Sequence, residues 1–153
     1  MKLLALLRHA RAETSSATGL DCDRSLDPGG RKDMERLAAL MSELGLGYDR
    51  QLSSPAARAV ETARIAGLEA ELDQRIYKAG AGDLLSIVQS MDDGLGSVLL
   101  VGHNPGFEHL ASLLAATIVP MSTGTLVELE LGIDQWSETE AGVGRIRRLI
   151  SPR

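Results

Sequence analysis

Arg8 and His9 stand side by side at the end of an apolar run, Leu3 to Leu7, and His103 follows a second such run, "SVLLVG" at 97–102. A third stretch, "LSSPAARAVETA" at 52–63, places Arg58 just beyond a Ser-Ser-Pro turn. These residue types share one chemistry. An imidazole can attack a phosphoryl centre and carry it as a covalent intermediate. Planar guanidinium forks hold a phosphoryl group bidentately and offset its charge. A second imidazole, when protonated, stabilises charge on the equatorial oxygens of the transition state. The reading holds only if the fold gathers His9, His103, Arg8 and Arg58.

The elements that would have to gather them follow from the hydrophobic pattern. Residues 2–7 and 97–102 are near-continuous apolar runs, as expected of strands buried on both faces. Met34, Leu37, Leu40, Met41 and Leu44 recur at helical spacing from Gly30 to Leu44, with Gly45 as the C-cap. A short strand is expected at Arg50–Ser53, then a helix capped by Ser54 with Pro55 at its first position. Residues 75–77 read as a short strand and Gly80 to Asp92 as a helix. "NPGFEHLASLLAAT" reads as a helix with Asn104 at the cap and Pro105 at N1. Alternation at Thr125–Leu131 and Arg145–Ile150 points to two edge-type strands. Residues 10–28 are polar and form a long loop, a length that implies a function. Repeated strand-helix units predict an α/β fold, a three-layer α/β/α domain around a central, mainly parallel sheet. Ligands bind outside the carboxyl ends of such strands, where both histidines fall.

The bulk composition agrees. The chain has 153 residues and 44% hydrophobic content, enough for one domain, 1–153, with its own core. Tyr48, Tyr77, Phe107 and Trp136 are its aromatic residues, so the core must be aliphatic. A formal net charge of -5 speaks against nucleic acid or a membrane surface as partner. With Cys22 as the single cysteine there is no intrachain disulfide, and a reducing, cytoplasmic setting is expected. Lys2, the short apolar run and "ARA" at 10–12 imitate a secretory signal, but the run is shorter than the roughly 7–15 residues of an h-region and Arg8 interrupts it.

Four segments in order also carry a family resemblance. "LLRHARA" at 6–12 resembles the Arg-His signature of the histidine phosphatase (phosphoglycerate mutase-like) superfamily. "RSLDPGGR" at 24–31, "LSSPAARAVETA" at 52–63 and "VGHNPG" at 101–106 are similar to its later motifs, and "PMSTGTLVELEL" to the end of the domain in its short branch. Ala10 after the histidine matches the small SixA-like phosphohistidine phosphatases. The resemblance implies His9 as nucleophile, His103 completing the phosphate pocket, and Arg8 and Arg58 binding phosphoryl oxygens. It places Arg24 near the site, with Ser15 or Ser16 as added hydroxyl donors. No cofactor is expected, and no metal, since His9, His103 and His109 lack recognisable ligand spacing and the adjacent arginines would repel a cation.

No residue matches the general acid of the larger mutase-like enzymes. Asp83 is the candidate by region, with Glu13, Asp21 and Asp23 as rivals on the long loop. An imidazole leaving group, with a conjugate-acid pKa of about 6.5, needs such an acid less than an alkoxide does. The partner expected first is therefore a protein bearing phosphohistidine. The alternatives are a small phosphorylated metabolite as substrate, or a non-catalytic phosphate-binding module. Asn104, Pro105 and His109 are expected to have structural or surface roles.

Overall fold

In the computed structural model, which describes residues 1–152, the apolar run at the amino terminus becomes β1 (Lys2–Arg8). Its side chains alternate between two cores: Leu4 and Leu6 enter one, Ala5 and Leu7 the other. A second such strand, β4 (Ser97–Gly102), lies beside it in parallel, with Val98 and Leu100 on one face and Leu99 and Val101 on the opposite one. Strand β2 (Arg50–Ser53) pairs in parallel with the far side of β4, and the two-residue β3 (Glu71–Leu72) pairs with β2. On the other side, β5 (Leu126–Leu131) runs antiparallel to β1 and β6 (Gly144–Ile150) antiparallel to β5. The sheet order is β3-β2-β4-β1-β5-β6.

Helices cover both faces, as the alternation requires. On one side α1 (Pro28–Leu44) contributes Met34, Leu37 and Met41, and α2 (Ala57–Ile65) contributes Ala59 and Ala63. On the other, α3 (Ala81–Gln89) contributes Leu84, Ile87 and Val88, and α4 (Gly106–Ala115) contributes Phe107, Leu110, Ala111 and Leu114. This is the expected three-layer α/β/α arrangement. Among the described residues no helix is long and apolar enough to cross a membrane.

Several local expectations give way to tertiary demands. Helix α1 begins two residues earlier than the apolar spacing indicates. Asp27 accepts from Gly30 N–H at 2.7 Å, Pro28 opens the helix, and Gly45 closes it at φ 66°. Helix α2 starts at Ala57 without a side-chain cap, because Ser54 lies two residues before the N-cap Ala56, where its hydroxyl accepts from Ala56 N–H and meets His103. Helix α4 starts at Gly106 after a cis Asn104–Pro105 peptide, so Pro105 is not at N1. Residues 74–76 form a 3-10 turn instead of a strand, and the short strand lies just before it at Glu71–Leu72. Strand β5 is not an edge strand. Its buried Glu128 accepts from Tyr48 Oη at 2.7 Å and pairs with Arg148 of β6, so a polar residue in the pattern marks a partner, not solvent.

The position of α4 depends on close backbone approach. A Cβ at Gly106 would lie 2.2 Å from the carbonyl oxygen of Ala79, whereas one at Gly82 of α3 would meet nothing within 4 Å. Gly106→Ala is expected to cost about 1–3 kcal/mol through forced displacement of the 77–80 segment. Gly82→Ala is expected to be neutral or to stabilise by up to about 1 kcal/mol, since glycine is a poor helix former. Chemical denaturation of the two variants checks the contrast.

Candidate active site

Three neighbouring parallel strands end at one edge of the sheet. Arg8 lies opposite Gly102, and Ser53 opposite Val101. Just past those ends, His9 N–H donates to Gly102 O at 2.9 Å and Ser54 N–H to Val101 O at 2.9 Å. This backbone pairing carries the rings of His9 and His103 to a centroid separation of 5.2 Å, with both side chains buried. Arg58, on the first turn of α2, is 6% exposed, little for a charged side chain. The segment after Pro120 wraps the same corner. Gly124 N–H donates to the carbonyls of Arg8 and His9, and Arg8 Nη1 and Asn104 Nδ2 both donate to Met121 O at 2.9 Å.

Hydrogen-bond partners assign the protons. His9 Nδ1 lies 2.7 Å from Ala10 O, which can only accept, so Nδ1 carries the proton and Nε2 keeps a free lone pair. The Ala10 amide donates to Thr62 Oγ1, whose hydroxyl donates to Arg58 O, tying the segment after His9 to α2. His103 Nε2 lies 2.7 Å from Ser54 Oγ. That oxygen also accepts from Ala56 N–H at 3.2 Å, and among the described residues its hydrogen has no acceptor other than His103 Nε2, which assigns the ring proton to Nδ1. His103 Nδ1, Arg8 Nε and Arg58 Nε are buried without a hydrogen-bond partner.

Burial and charge set the titration. Desolvation lowers His9 to about 4, and Arg58, Arg8 and Arg24 push the same way against the Ala10 hydrogen bond. His103 is lowered to about 3, again first by desolvation, then by His9 and Arg58. Both rings are therefore neutral at pH 7, and His103 presents its N–H at Nδ1.

A hollow of about 500 Å³ opens beside these groups, lined by Asp21, Arg58, Lys78, Ala79, His103, Asn104 and Pro105. Asp21 crosses its wall. Its carboxylate accepts from Arg58 Nη2 at 3.1 Å, Tyr77 Oη at 2.7 Å and Arg24 Nε at 3.0 Å. The Tyr77 hydroxyl and then the two guanidinium groups hold that carboxyl well below the usual range.

The comparisons bear on this arrangement. A family model described as the histidine phosphatase superfamily (branch 1) matches residues 4–83. The chain belongs to that superfamily. SixA from Agrobacterium tumefaciens, reported as a candidate phosphohistidine phosphatase, is 26% identical with a TM-score of 0.83, the match covering 99% of each chain. The protein histidine phosphatase SixA complexed with tungstate is 24% identical with a TM-score of 0.82, over 98% of this chain and 97% of that one. An uncharacterised chloroplastic protein of Arabidopsis thaliana is 27% identical over 170 residues, covering 97% of this chain and 77% of the plant protein.

Within the histidine phosphatase fold, the sequence candidates divide. His9, His103, Arg8 and Arg58 come together at the strand ends. Arg24 reaches the corner through Asp21 and through Glu13 O. Ser15 is exposed and lines a separate hollow with Thr14, Ser16, Gly19, Leu20, Asp21 and Arg24. Asp83 is exposed, does not line the histidine hollow, and accepts from Gly80 N–H at 3.4 Å at the start of α3. His109 is exposed on α4, as expected.

Sequence reasoning left Thr62 and Tyr77 without roles and gave Ser54 to a helix cap. Thr62 stood in the quoted 52–63 segment, one helical turn beyond Arg58, and that spacing was the available signal. Tyr77 had none, since only folding places its ring 5.6 Å from that of His103.

The depressed histidine values have a stability consequence. The unfolded chain takes up these protons near 6.5, the folded one only near 4 and 3. Between those limits the unfolded state binds more protons, so stability rises with pH and is lost as pH falls through the window. Urea unfolding at steps from about pH 7 to about pH 4 is expected to show this slope, and His9→Gln to flatten it.

Proposed function

We propose that this chain is a metal-independent phosphatase that removes phosphoryl groups from phosphohistidine on proteins through a covalent phospho-His9 intermediate. The observation carrying the reading is the trio of buried, unpartnered groups, Arg8 Nε, Arg58 Nε and His103 Nδ1, beside a histidine whose Nε2 is bare. Buried donors without partners are costly, about 1–3 kcal/mol each, and phosphoryl oxygens are acceptors of the kind they lack. A fold relative in complex with tungstate, a phosphate-like oxyanion, supports an anion site in this architecture.

His9 Nε2 attacks phosphorus, forming a P–N bond as the bond to the substrate nitrogen breaks. The departing ring, already protonated on its other nitrogen, leaves as neutral imidazole. Water then attacks the phosphorus of phospho-His9, gives up a proton to solvent, and releases inorganic phosphate with His9 restored. Arg8, Arg58 and the His103 Nδ1–H hold the equatorial oxygens in both steps. Among the described residues Asp21 is the one carboxylate lining the hollow, and it is held ionised by Tyr77, Arg58 and Arg24. It has no proton to give in the resting site. That favours a phosphoramidate over an alkyl phosphate, whose alkoxide must be protonated as it leaves.

Rapid-quench experiments with a phosphohistidine protein are expected to trap an acid-labile phosphoenzyme in wild type and none in His9→Ala. Arg58→Ala is expected to lose about 10²–10³ in kcat/KM. Equal kcat/KM for an alkyl phosphomonoester and the phosphohistidine protein would overturn the substrate assignment. Oxyanion binding without turnover or labelling would leave a phosphate-binding module instead.

A further inference from the structure

The clamp is not vacant. Arg58 Nη1 donates to the Asp21 carbonyl at 2.9 Å and Nη2 to its carboxylate at 3.1 Å, so both terminal nitrogens of the fork are committed to one residue. The carboxylate also accepts from Arg24 Nε and Tyr77 Oη. A phosphoryl group entering the site would seek the same donors. Asp21 has the charge, the acceptor geometry and the partners of a small oxyanion, on a side chain 41% exposed in a three-residue 3-10 turn. It also forms the wall shared by the histidine hollow and the hollow of about 380 Å³ around Ser15 and Arg24.

We propose that Asp21 is a tethered competitor for the phosphoryl site, and that substrate must displace its carboxylate from Arg58. The inference rests on the reading of Arg58 as a phosphoryl clamp. Free phosphate, which gains nothing outside the clamp, meets the full competition. A phosphorylated protein makes further contacts around the hollow that offset it. Asp21 thus lowers the affinity of bare oxyanions and limits inhibition by the phosphate product, while a protein substrate keeps working affinity through its further contacts.

The test is calorimetric binding of tungstate and inorganic phosphate to the whole chain, with steady-state inhibition by phosphate alongside. Asp21→Asn keeps the shape and removes the charge, and is expected to tighten both oxyanions about tenfold, the scale of one charge-assisted hydrogen bond. Phosphate should inhibit the variant correspondingly more strongly. Tyr77→Phe removes one of the groups holding the carboxylate in place without changing charge, and should tighten both oxyanions in the same direction as Asp21→Asn but by less.

Asp23→Asn removes the same charge from the same turn. Its carboxylate accepts from the Thr18 hydroxyl and the Cys22 thiol, not from the clamp, so oxyanion affinity should stay as in wild type. Unchanged or weaker oxyanion binding in Asp21→Asn would overturn the proposal, as would equal tightening in Asp23→Asn. If tungstate fails to bind wild type, or binds it and Arg58→Ala equally, the clamp reading itself has failed.

Discussion

The parallel pairing of β1 with β4 is the constraint on which the site depends. Side chains alternate along a strand, so a slip of one residue would turn every core residue to the wrong face. Leu4 and Leu6 belong to one core and Ala5 and Leu7 to the other, and β4 alternates in the same way. Two hydrophobic layers therefore lock a single register, and that register sets Arg8 against Gly102. The bond from His9 N–H to Gly102 O extends it one residue past the strands. Gly102 itself has no room for a Cβ, which would lie 2.7 Å from the Phe107 ring and 2.8 Å from Ile76. The separation of the two imidazoles is thus set by aliphatic packing on both faces of the sheet.

The same burial shapes the electrostatics. Taking His9 and His103 out of water favours their neutral forms, and the neighbouring guanidinium groups act in the same direction. In the proposed mechanism the attacking ring must be neutral, so the guanidinium groups proposed to bind the phosphoryl group also favour the neutral form of His9. Concentrated positive charge at a sheet edge calls for an anion, and the chain supplies its own in Asp21. Tyr77 and Arg24 belong to the site through that carboxylate, not through any direct contact with the histidines' nitrogens.

The sequence was legible where one local signal had no competitor. Uninterrupted apolar runs marked β1 and β4, and Gly45 marked the end of α1, whose start at Asp27-Pro28 lies ahead of the apolar spacing. It was misleading where a residue fitted two roles. Ser54 before Pro55 has the form of a helix start, yet its hydroxyl satisfies His103, and α2 begins later without a cap. The alternation around Glu128 has the form of an edge strand, yet Tyr48 and Arg148 neutralise that carboxylate inside the sheet. Strand β3 is two exposed residues, Glu71 and Leu72, with no apolar run to announce it. In each case a partner distant in sequence decided the outcome, and local propensity could not report it.

The two histidines are chemically distinguished by their second nitrogens. His9 spends its proton on Ala10 O, a backbone acceptor that cannot return one, which holds the tautomer with Nε2 exposed for attack. His103 accepts a hydrogen bond at Nε2 from the Ser54 hydroxyl, which leaves its N–H at Nδ1 without a protein partner. Exchange the two second partners and the roles would exchange with them: a carbonyl makes the opposite ring nitrogen a nucleophile, and a hydroxyl donor makes it a hydrogen-bond donor. At His9 the new P–N bond consumes the lone pair at which a further proton would have bound. The asymmetry therefore needs no carboxylic acid at the site, only one backbone carbonyl and one serine hydroxyl, each placed by the strand that precedes it.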